Sequence, residues 1–114
     1  MNISRGDIVL TDLDPSKGSE QGKTRPTVVI QNNKGNKHSP TTIIAPLTTS
    51  YSQIYPTDVE LKSNKTDVNK DSKVMLNQIA TIDIQSRIQK KLGTLHSSKM
   101  REVDKAIKIS LGLK

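Results

Sequence analysis

The sequence contains no cysteine, tryptophan or phenylalanine, and its only aromatic residues are Tyr51 and Tyr55. The lack of cysteine excludes disulfides, thiolate zinc sites and cysteine nucleophiles, and it fits a cytoplasmic protein. RNA-binding sheets that stack bases on their surface need several aromatic side chains, so this shortage argues against that class. Long apolar runs and a signal-like N-terminus are also missing, so we expect no membrane partner.

Acidic residues are scarce relative to basic ones, with eleven against eighteen, which gives a net charge of +7. This balance favours a polyanionic partner such as nucleic acid, an acidic protein or an anionic membrane, and charge alone does not choose among them. A chain of 114 residues suits one domain, residues 1–114. Because only 32% of the residues are hydrophobic, the core is expected to be thin and part of it to be covered by a second copy of the chain.

Short runs rich in β-branched residues predict strands in the first two-thirds of the chain. The first lies within residues 5–13, the second begins near Arg25, and the third covers residues 41–48. Pro46 is expected to bend the third strand or to end its pairing just before Thr48. Residues 14–24 contain proline, glycine and almost nothing apolar, which predicts a long, mobile loop.

Later segments are predicted with the same signals. Residues 33–40 form a polar turn, residues 57–62 and 72–81 contain strands, and residues 62–71 form a polar connection. Residues 82–95 fit either a helix or a one-turn helix that begins at Asp83 and precedes a last strand. A C-terminal helix is capped by Ser97 or Ser98, has Met100, Val103, Ile107 and Leu111 on one stripe, and ends at Gly112.

The common catalytic constellations are absent from the sequence. There is no HExxH, no GxSxG, no phosphate-binding Walker loop, and no set of histidines and carboxylates at metal-ligand spacing. His38 and His96 are flanked by polar residues and are interpreted as surface residues. We therefore expect neither a metal nor a cofactor.

The concentrated feature is the run GSEQGKTRP, residues 18–26. Its glycines allow the backbone to approach a ligand, while Arg25 stands at the junction with a strand that holds its guanidinium. A guanidinium beside a glycine loop suits phosphate recognition. On composition alone, a solvated hairpin loop explains the same residues slightly better.

The order of several motifs carries a resemblance that covers nearly the whole chain. RGD, GSEQG, RP, QN and NKHSPT succeed one another between Arg5 and Thr48, followed by VEL at 59–61, DSKVMLNQIATID at 71–83 and KMREVDKAIKISLGL at 99–113. This pattern resembles the MazF/PemK family of toxin endoribonucleases, most strongly the branch found in Gram-positive bacteria.

The resemblance implies a mainly β fold with a C-terminal α-helix: a small SH3-like barrel of the MazF/PemK/CcdB type that works as a homodimer. It further implies the toxin of a type II toxin-antitoxin system, an mRNA interferase that inhibits growth by cleaving single-stranded RNA at short sequence motifs. Family members need no metal and use the ribose 2′-hydroxyl, which leaves 2′,3′-cyclic phosphate and 5′-hydroxyl ends and implies no cleavage of DNA. An acidic MazE-like antitoxin would compete for the same groove.

Carried onto this sequence, the family's catalytic arginine falls on Arg25 and its catalytic threonine on Thr48. An arginine is a poor proton acceptor, so Arg25 is expected chiefly to stabilise charge and Glu20 to be the candidate base. The resemblance further implies a set of RNA contacts, namely Lys17, Ser19, Gln21, Asn32, Thr49, Asn77 and Gln78.

Two departures from the family bear on RNA recognition. Close relatives have Leu-Glu-Gln where this chain has Leu76-Asn77-Gln78, so an acceptor-only carboxylate becomes an amide that also donates. Residues 49–56 are about one residue shorter than in those relatives and border Thr48. Two alternatives remain on the same scaffold: a non-catalytic CcdB-like inhibitor of gyrase and an inactive RNA-binding module.

Overall fold

The structure is a computed structural model that describes residues 1–64, 66 and 68–114. Over these residues, strands predominate and the last helix closes the chain, which confirms the predicted fold class. Part of the predicted polar connection, Lys65 and Asp67, lies outside the described residues. The elements are β1 (Asp7–Asp12), β2 (Thr24–Val29), α1 (Asn33–His38), β3 (Thr41–Thr48), β4 (Asp58–Leu61), β5 (Ser72–Met75), β6 (Ala80–Asp83), α2 (Ile84–Arg87), β7 (Ile88–Thr94) and α3 (Ser97–Leu111).

The strands form one antiparallel sheet with the order β4-β5-β3-β2-β1-β7, and β6 pairs with the first half of β3. Across the described part of the chain, β4 and β7 are the two ends of this path and do not pair, so the SH3-like barrel is not fully closed. Strand β3 pairs with β2 as far as Pro46 and with β5 at Leu47 and Thr48. The predicted break at Pro46 is therefore a change of partner strand.

Both faces of the central strands are buried. Neighbouring residues in β1 and β2 belong to different apolar clusters: Ile8 and Val28 pack beneath α3, whereas Val9 and Val29 pack on the opposite face. A sheet covered on both faces has near-continuous apolar strands, which explains the short β-branched runs in the sequence. This packing fixes β1, β2 and β3 as a rigid support for the residues at their ends.

Helix α1 replaces the predicted turn at residues 33–40. Its side-chain cap is Asn32, whose Oδ1 accepts from the Gly35 amide at 2.8 Å. Asn36 is buried and accepts from the Thr42 hydroxyl at 2.6 Å, while its amide donates to the Gln31 carbonyl at 3.0 Å. The turn prediction is wrong because this helix is held by polar contacts that leave no apolar periodicity in the sequence.

Of the two alternatives predicted for residues 82–95, the structure shows the single-turn helix followed by a strand. Asp83 caps the single-turn helix α2, and strand β7 follows directly. The N-cap of α3 is His96 and neither Ser97 nor Ser98, since His96 Nδ1 accepts from the Ser98 amide at 3.2 Å. Gly112 ends α3 in the left-handed conformation, as predicted.

The buried face of α3 is shorter than the predicted stripe. Val103 and Ala106 are buried, and Met100 and Ile107 pack against the same cluster, but Leu111 is 52% exposed. Leu111 lies in the last turn of α3 and belongs to neither buried apolar cluster. Among the helices of the described residues, none is long and apolar enough to cross a membrane.

Candidate active site

The loop between β1 and β2 is held at its base. The Leu13 amide donates to the Lys23 carbonyl at 2.9 Å, and the Lys23 amide donates to Asp14 Oδ1 at 2.8 Å. Arg87 Nη1 donates to the carbonyls of Asp12 and Asp14 at 3.0 and 2.6 Å. The predicted long loop is present, and its base is fixed by hydrogen bonds between its own two ends and by Arg87 from another segment.

Gly22 is required where the loop folds back on itself. A Cβ at this position would collide with the Ser16 hydroxyl and lie 2.6 Å from Asp14 Oδ1. Only a residue without a side chain permits this close approach. The Gly22 carbonyl in turn accepts from Arg25 Nε at 2.9 Å, so the loop base is directly connected to the arginine.

Arg25 lies in β2 and is half-buried. Its Nη1 donates to the Leu47 carbonyl at 3.3 Å, which adds a second backbone anchor to the one from Gly22. Within the described ranges, Nη2 has no hydrogen-bond partner and no carboxylate forms an ion pair with this guanidinium. Arg25 therefore presents an oriented positive charge with donors left for a ligand.

Thr48 is the last residue of β3 and lies beside Arg25. Its Oγ1 accepts from the Ser50 amide at 3.2 Å and donates to the Ser50 carbonyl at 3.4 Å. Arg25, Thr48 and Thr49 line one shallow cavity of about 260 Å³. The two predicted catalytic residues are thus brought together, with Thr49 next to them.

A second cavity of about 330 Å³ is lined by Glu20, Gln21, Asn77 and Gln78. The Glu20 carboxylate accepts from the Lys17 amide at 2.8 Å, which closes a turn at the loop tip. Four of the predicted residues therefore share a cavity. Glu20 lines this cavity and not the one that holds Arg25 and Thr48.

The remaining predicted residues are distributed around these cavities. Gln78 Nε2 approaches the Ser19 carbonyl at 3.5 Å, so Ser19 stands at the edge of the second cavity, and Lys17 is exposed at the loop tip. Asn32 lines neither cavity and caps α1 instead. In the part of the chain that the structure describes, no group of three or more histidine or acidic side chains could hold a metal ion.

Arg87 is a residue of this site that the sequence did not reveal. It lines the second cavity and also holds the base of the loop. The only signals were that the chain has four arginines and that this one is the last residue of a capped single-turn helix. Neither signal specifies that its side chain reaches back more than seventy positions to Asp12 and Asp14.

Solved structures with the same architecture define the class of fold. MazF (Form-I) from Deinococcus radiodurans has a TM-score of 0.87 and 23% sequence identity, with 99% of each chain covered. An endoribonuclease in complex with its cognate antitoxin from Mycobacterial species has a TM-score of 0.81 and 23% identity, covering 98% of this chain and 97% of that one. The chain therefore has the fold of the MazF toxins.

Sequence comparison leads from the fold to the family. A family model described as a PemK-like, MazF-like toxin of type II toxin-antitoxin system matches residues 4–111. The Endoribonuclease MazF of Staphylococcus epidermidis is 51% identical over 112 residues, which covers 97% of this chain and 92% of that protein. The chain belongs to the PemK/MazF toxin family, which confirms the resemblance drawn from its motifs.

Proposed function

We propose that this protein is an endoribonuclease toxin that cleaves single-stranded RNA at specific sequences without a metal ion. The ribose 2′-hydroxyl attacks the adjacent phosphorus, and the products carry 2′,3′-cyclic phosphate and 5′-hydroxyl ends. The observation that carries the proposal is the shared cavity of Arg25 and Thr48. Membership of the toxin family and the endoribonuclease name of the staphylococcal relative support the same activity.

The cavity suits the charge that this reaction develops. Attack on phosphorus concentrates negative charge on the nonbridging oxygens, and preorganised donors aimed at that charge lower the barrier. Arg25 has two backbone anchors that fix its guanidinium and leave Nη2 for a phosphate oxygen. Thr48 supplies the hydroxyl donor, which exchanges its long bond to the Ser50 carbonyl for the phosphate. Arg25 acts as electrostatic stabiliser and proton donor to the leaving 5′-oxygen.

The proton of the 2′-hydroxyl needs an acceptor, and Glu20 is our candidate for this base. Its carboxylate lies two residues before Gly22, whose carbonyl holds Arg25. A movement of the loop tip on RNA binding brings Glu20 toward the scissile bond while its base stays anchored. Glu20→Gln tests this role: we expect loss of the acidic limb of the pH-rate profile and a lower single-turnover rate. An unchanged profile assigns Glu20 to RNA binding only.

RNA recognition is assigned to the loop tip and the second cavity, where Gln21, Asn77 and Gln78 present amide donors and acceptors. We propose that two copies of the chain form the RNA groove between them. An acidic MazE-like antitoxin competes for this positively charged groove. Two structures with the same fold are of complexes, the endoribonuclease with its cognate antitoxin from Mycobacterial species and the MazE-MazF of Deinococcus radiodurans.

The direct test is incubation of the purified protein with a long single-stranded RNA in excess EDTA. We expect cuts at a few sites with 5′-hydroxyl ends, and no cuts in the matching DNA. Arg25→Ala abolishes the cuts, whereas Arg101→Ala, which removes the same charge from an exposed position of α3, leaves them. An absolute requirement for magnesium contradicts the mechanism. Tight RNA binding with no cleavage by the wild-type protein indicates an inactive binding module.

A further inference from the structure

Lys73 is a buried lysine, 7% exposed, to which neither the motifs nor the proposed chemistry gives a role. Its Nζ lies 2.7 Å from Oδ2 of Asp58, which is itself 8% exposed. Lysine and aspartate are rarely buried unless they are paired. Removing one partner of such a pair leaves the other charge buried alone, so the two residues act as a unit.

The surroundings of the Lys73 ammonium extend beyond this ion pair. Nζ also donates to the Gln53 carbonyl at 3.1 Å. The rings of Tyr51 and Tyr55, the only aromatic residues of the chain, have their centroids 5.8 and 5.0 Å away, within the range of cation–π attraction. The Lys73 ammonium therefore contacts Tyr51, Gln53 and Tyr55 from a single stretch of the chain, and Asp58 directly after it.

That stretch is the crossing segment, residues 49–57, which joins β3 to β4. Both strands pair antiparallel with β5, so the chain must cross one face of β5 to pass from the end of β3 to the start of β4. Lys73 lies on β5 directly opposite Thr48 in the strand register. Its side chain reaches the middle of the crossing segment and the first residue of β4, and thereby ties the segment to the sheet.

The crossing segment also holds the Thr48 hydroxyl. The Ser50 amide donates to Thr48 Oγ1 at 3.2 Å, and Thr48 Oγ1 in turn donates to the Ser50 carbonyl at 3.4 Å. These contacts fix the position of the oxygen through the backbone of the segment, and the 3.4 Å bond is long enough for the hydroxyl to exchange it for a phosphate oxygen. A shift of the segment therefore moves the Thr48 hydroxyl.

We propose that Lys73 is a positioning residue for RNA cleavage, which holds the crossing segment so that the Ser50 amide keeps Thr48 Oγ1 in place to donate to the scissile phosphate. The inference rests on the proposed function of Thr48. The two tyrosines and Asp58 help Lys73 to hold the segment, since Asp58 Oδ2 also accepts from the Tyr55 amide at 2.9 Å. We expect these contacts to affect the rate of the chemical step and not the affinity for RNA.

Lys73→Met tests the proposed effect on the cleavage rate, because methionine fills similar space without the charge. We expect kcat to fall about tenfold with KM nearly unchanged, since a misplaced catalytic group costs up to about 10²-fold. Lys73→Arg, which keeps a charged donor for Asp58, restores part of kcat. Lys62→Met removes a charge from an exposed position just after β4 and serves as the matched control with unchanged kinetics.

A double-variant experiment shows whether Lys73 acts through Thr48 or only stabilises the protein as a whole. In a Thr48→Val background the hydroxyl is gone, so adding Lys73→Met is expected to lower the single-turnover rate no further. An equal loss in both backgrounds overturns the proposal, as does a wild-type kcat for Lys73→Met. If Lys73→Met does not fold, Lys73→Met/Asp58→Asn removes both charges, and the same comparison of cleavage rates in the two backgrounds tests the proposal.

Amide hydrogen exchange tests, without RNA, whether Lys73 holds the crossing segment. We expect the Ser50 and Tyr55 amides to exchange faster in the lysine variant, while those of β1 and β2 stay unchanged. Unchanged exchange at Ser50 overturns the proposal. If wild-type protein does not cut RNA, the proposed function fails and exchange still decides whether Lys73 holds the segment. If the wild type cuts and Lys73→Met cuts equally well, only this inference fails.

Discussion

Gly22→Ala tests whether the base of the loop holds Arg25, the arginine that we propose to be catalytic. The added methyl group would overlap the Ser16 hydroxyl and approach Asp14 Oδ1 to 2.6 Å. Rotating the Asp14 carboxylate away breaks its hydrogen bond from the Lys23 amide at 2.8 Å. The methyl group would also lie 2.9 Å from Ser16 Cβ, a contact that no rotation of the hydroxyl relieves. The loop backbone must therefore move, and with it the Gly22 carbonyl that accepts from Arg25 Nε.

The magnitudes follow from these contacts. Forcing a methyl group into a filled space costs about 1–3 kcal/mol, which corresponds to a fall in Tm of roughly 4–12 °C for a domain of this size. A shift of about 1 Å in a catalytic group costs up to about 10²-fold in rate. We expect Gly22→Ala to lower the single-turnover cleavage rate by roughly 10- to 100-fold, measured on a fluorescent RNA at a temperature where the variant is fully folded.

Gly112→Ala is the matched control. Gly112 has φ +70° and nothing within 4 Å of an added Cβ, so the substitution strains the backbone without a clash. It costs about 1–2 kcal/mol at the C-terminus of α3 and leaves the cleavage rate unchanged. The reasoning is refuted if Gly22→Ala cleaves within about twofold of the wild type, or if both alanine variants lose activity equally.

Three further outcomes follow. Arg25→Lys keeps the charge but has one head group for two backbone anchors and a phosphate, so single-turnover cleavage is expected to fall at least about tenfold; near-normal cleavage contradicts the need for a guanidinium. Asn77→Glu places a carboxylate in the cavity of Glu20 and is expected to change the cleaved sequence, mapped by sequencing the product ends, while an unchanged motif removes Asn77 from recognition. Hydrogen bonds from the Ser86 hydroxyl and amide lower the pKa of Asp83, so the stability from this cap is present above the unfolded pKa and is lost as pH falls through the folded value. Carbon-detected NMR titration measures this pKa, which Ser86→Ala raises only partway toward the ordinary aspartate value because the backbone donor remains.

The strands could be predicted because their signals are local. Runs of β-branched residues and the proline at position 46 mark them, and the cap at Asp83 marks the start of α2. The wrong predictions share a different cause. Helix α1 depends on the contact of Asn36 with Thr42, and the cap of α3 uses a histidine where serine was the more common choice.

The candidate site likewise has a part that the sequence predicted and a part that depends on contacts between distant residues. The motif order identified Arg25 and Thr48, and the fold brings them to one cavity. The contacts around them come in part from residues distant in sequence, such as Arg87 at the loop base and Lys73 beside the crossing segment. A buried lysine is contrary to the usual exposure of that residue, so only its partners in three dimensions reveal its position.

The central claim is that the 2′-hydroxyl of the RNA is the nucleophile in a cavity formed by Arg25 and Thr48. Once a cleavage site has been mapped, an RNA oligonucleotide with a single 2′-deoxy substitution at the nucleotide on the 5′ side of that bond tests it directly, in EDTA, beside the unmodified oligonucleotide. The account predicts that the modified strand binds and remains uncut at that bond, whereas the unmodified strand is cut. Cleavage of the modified strand at the same bond would contradict it.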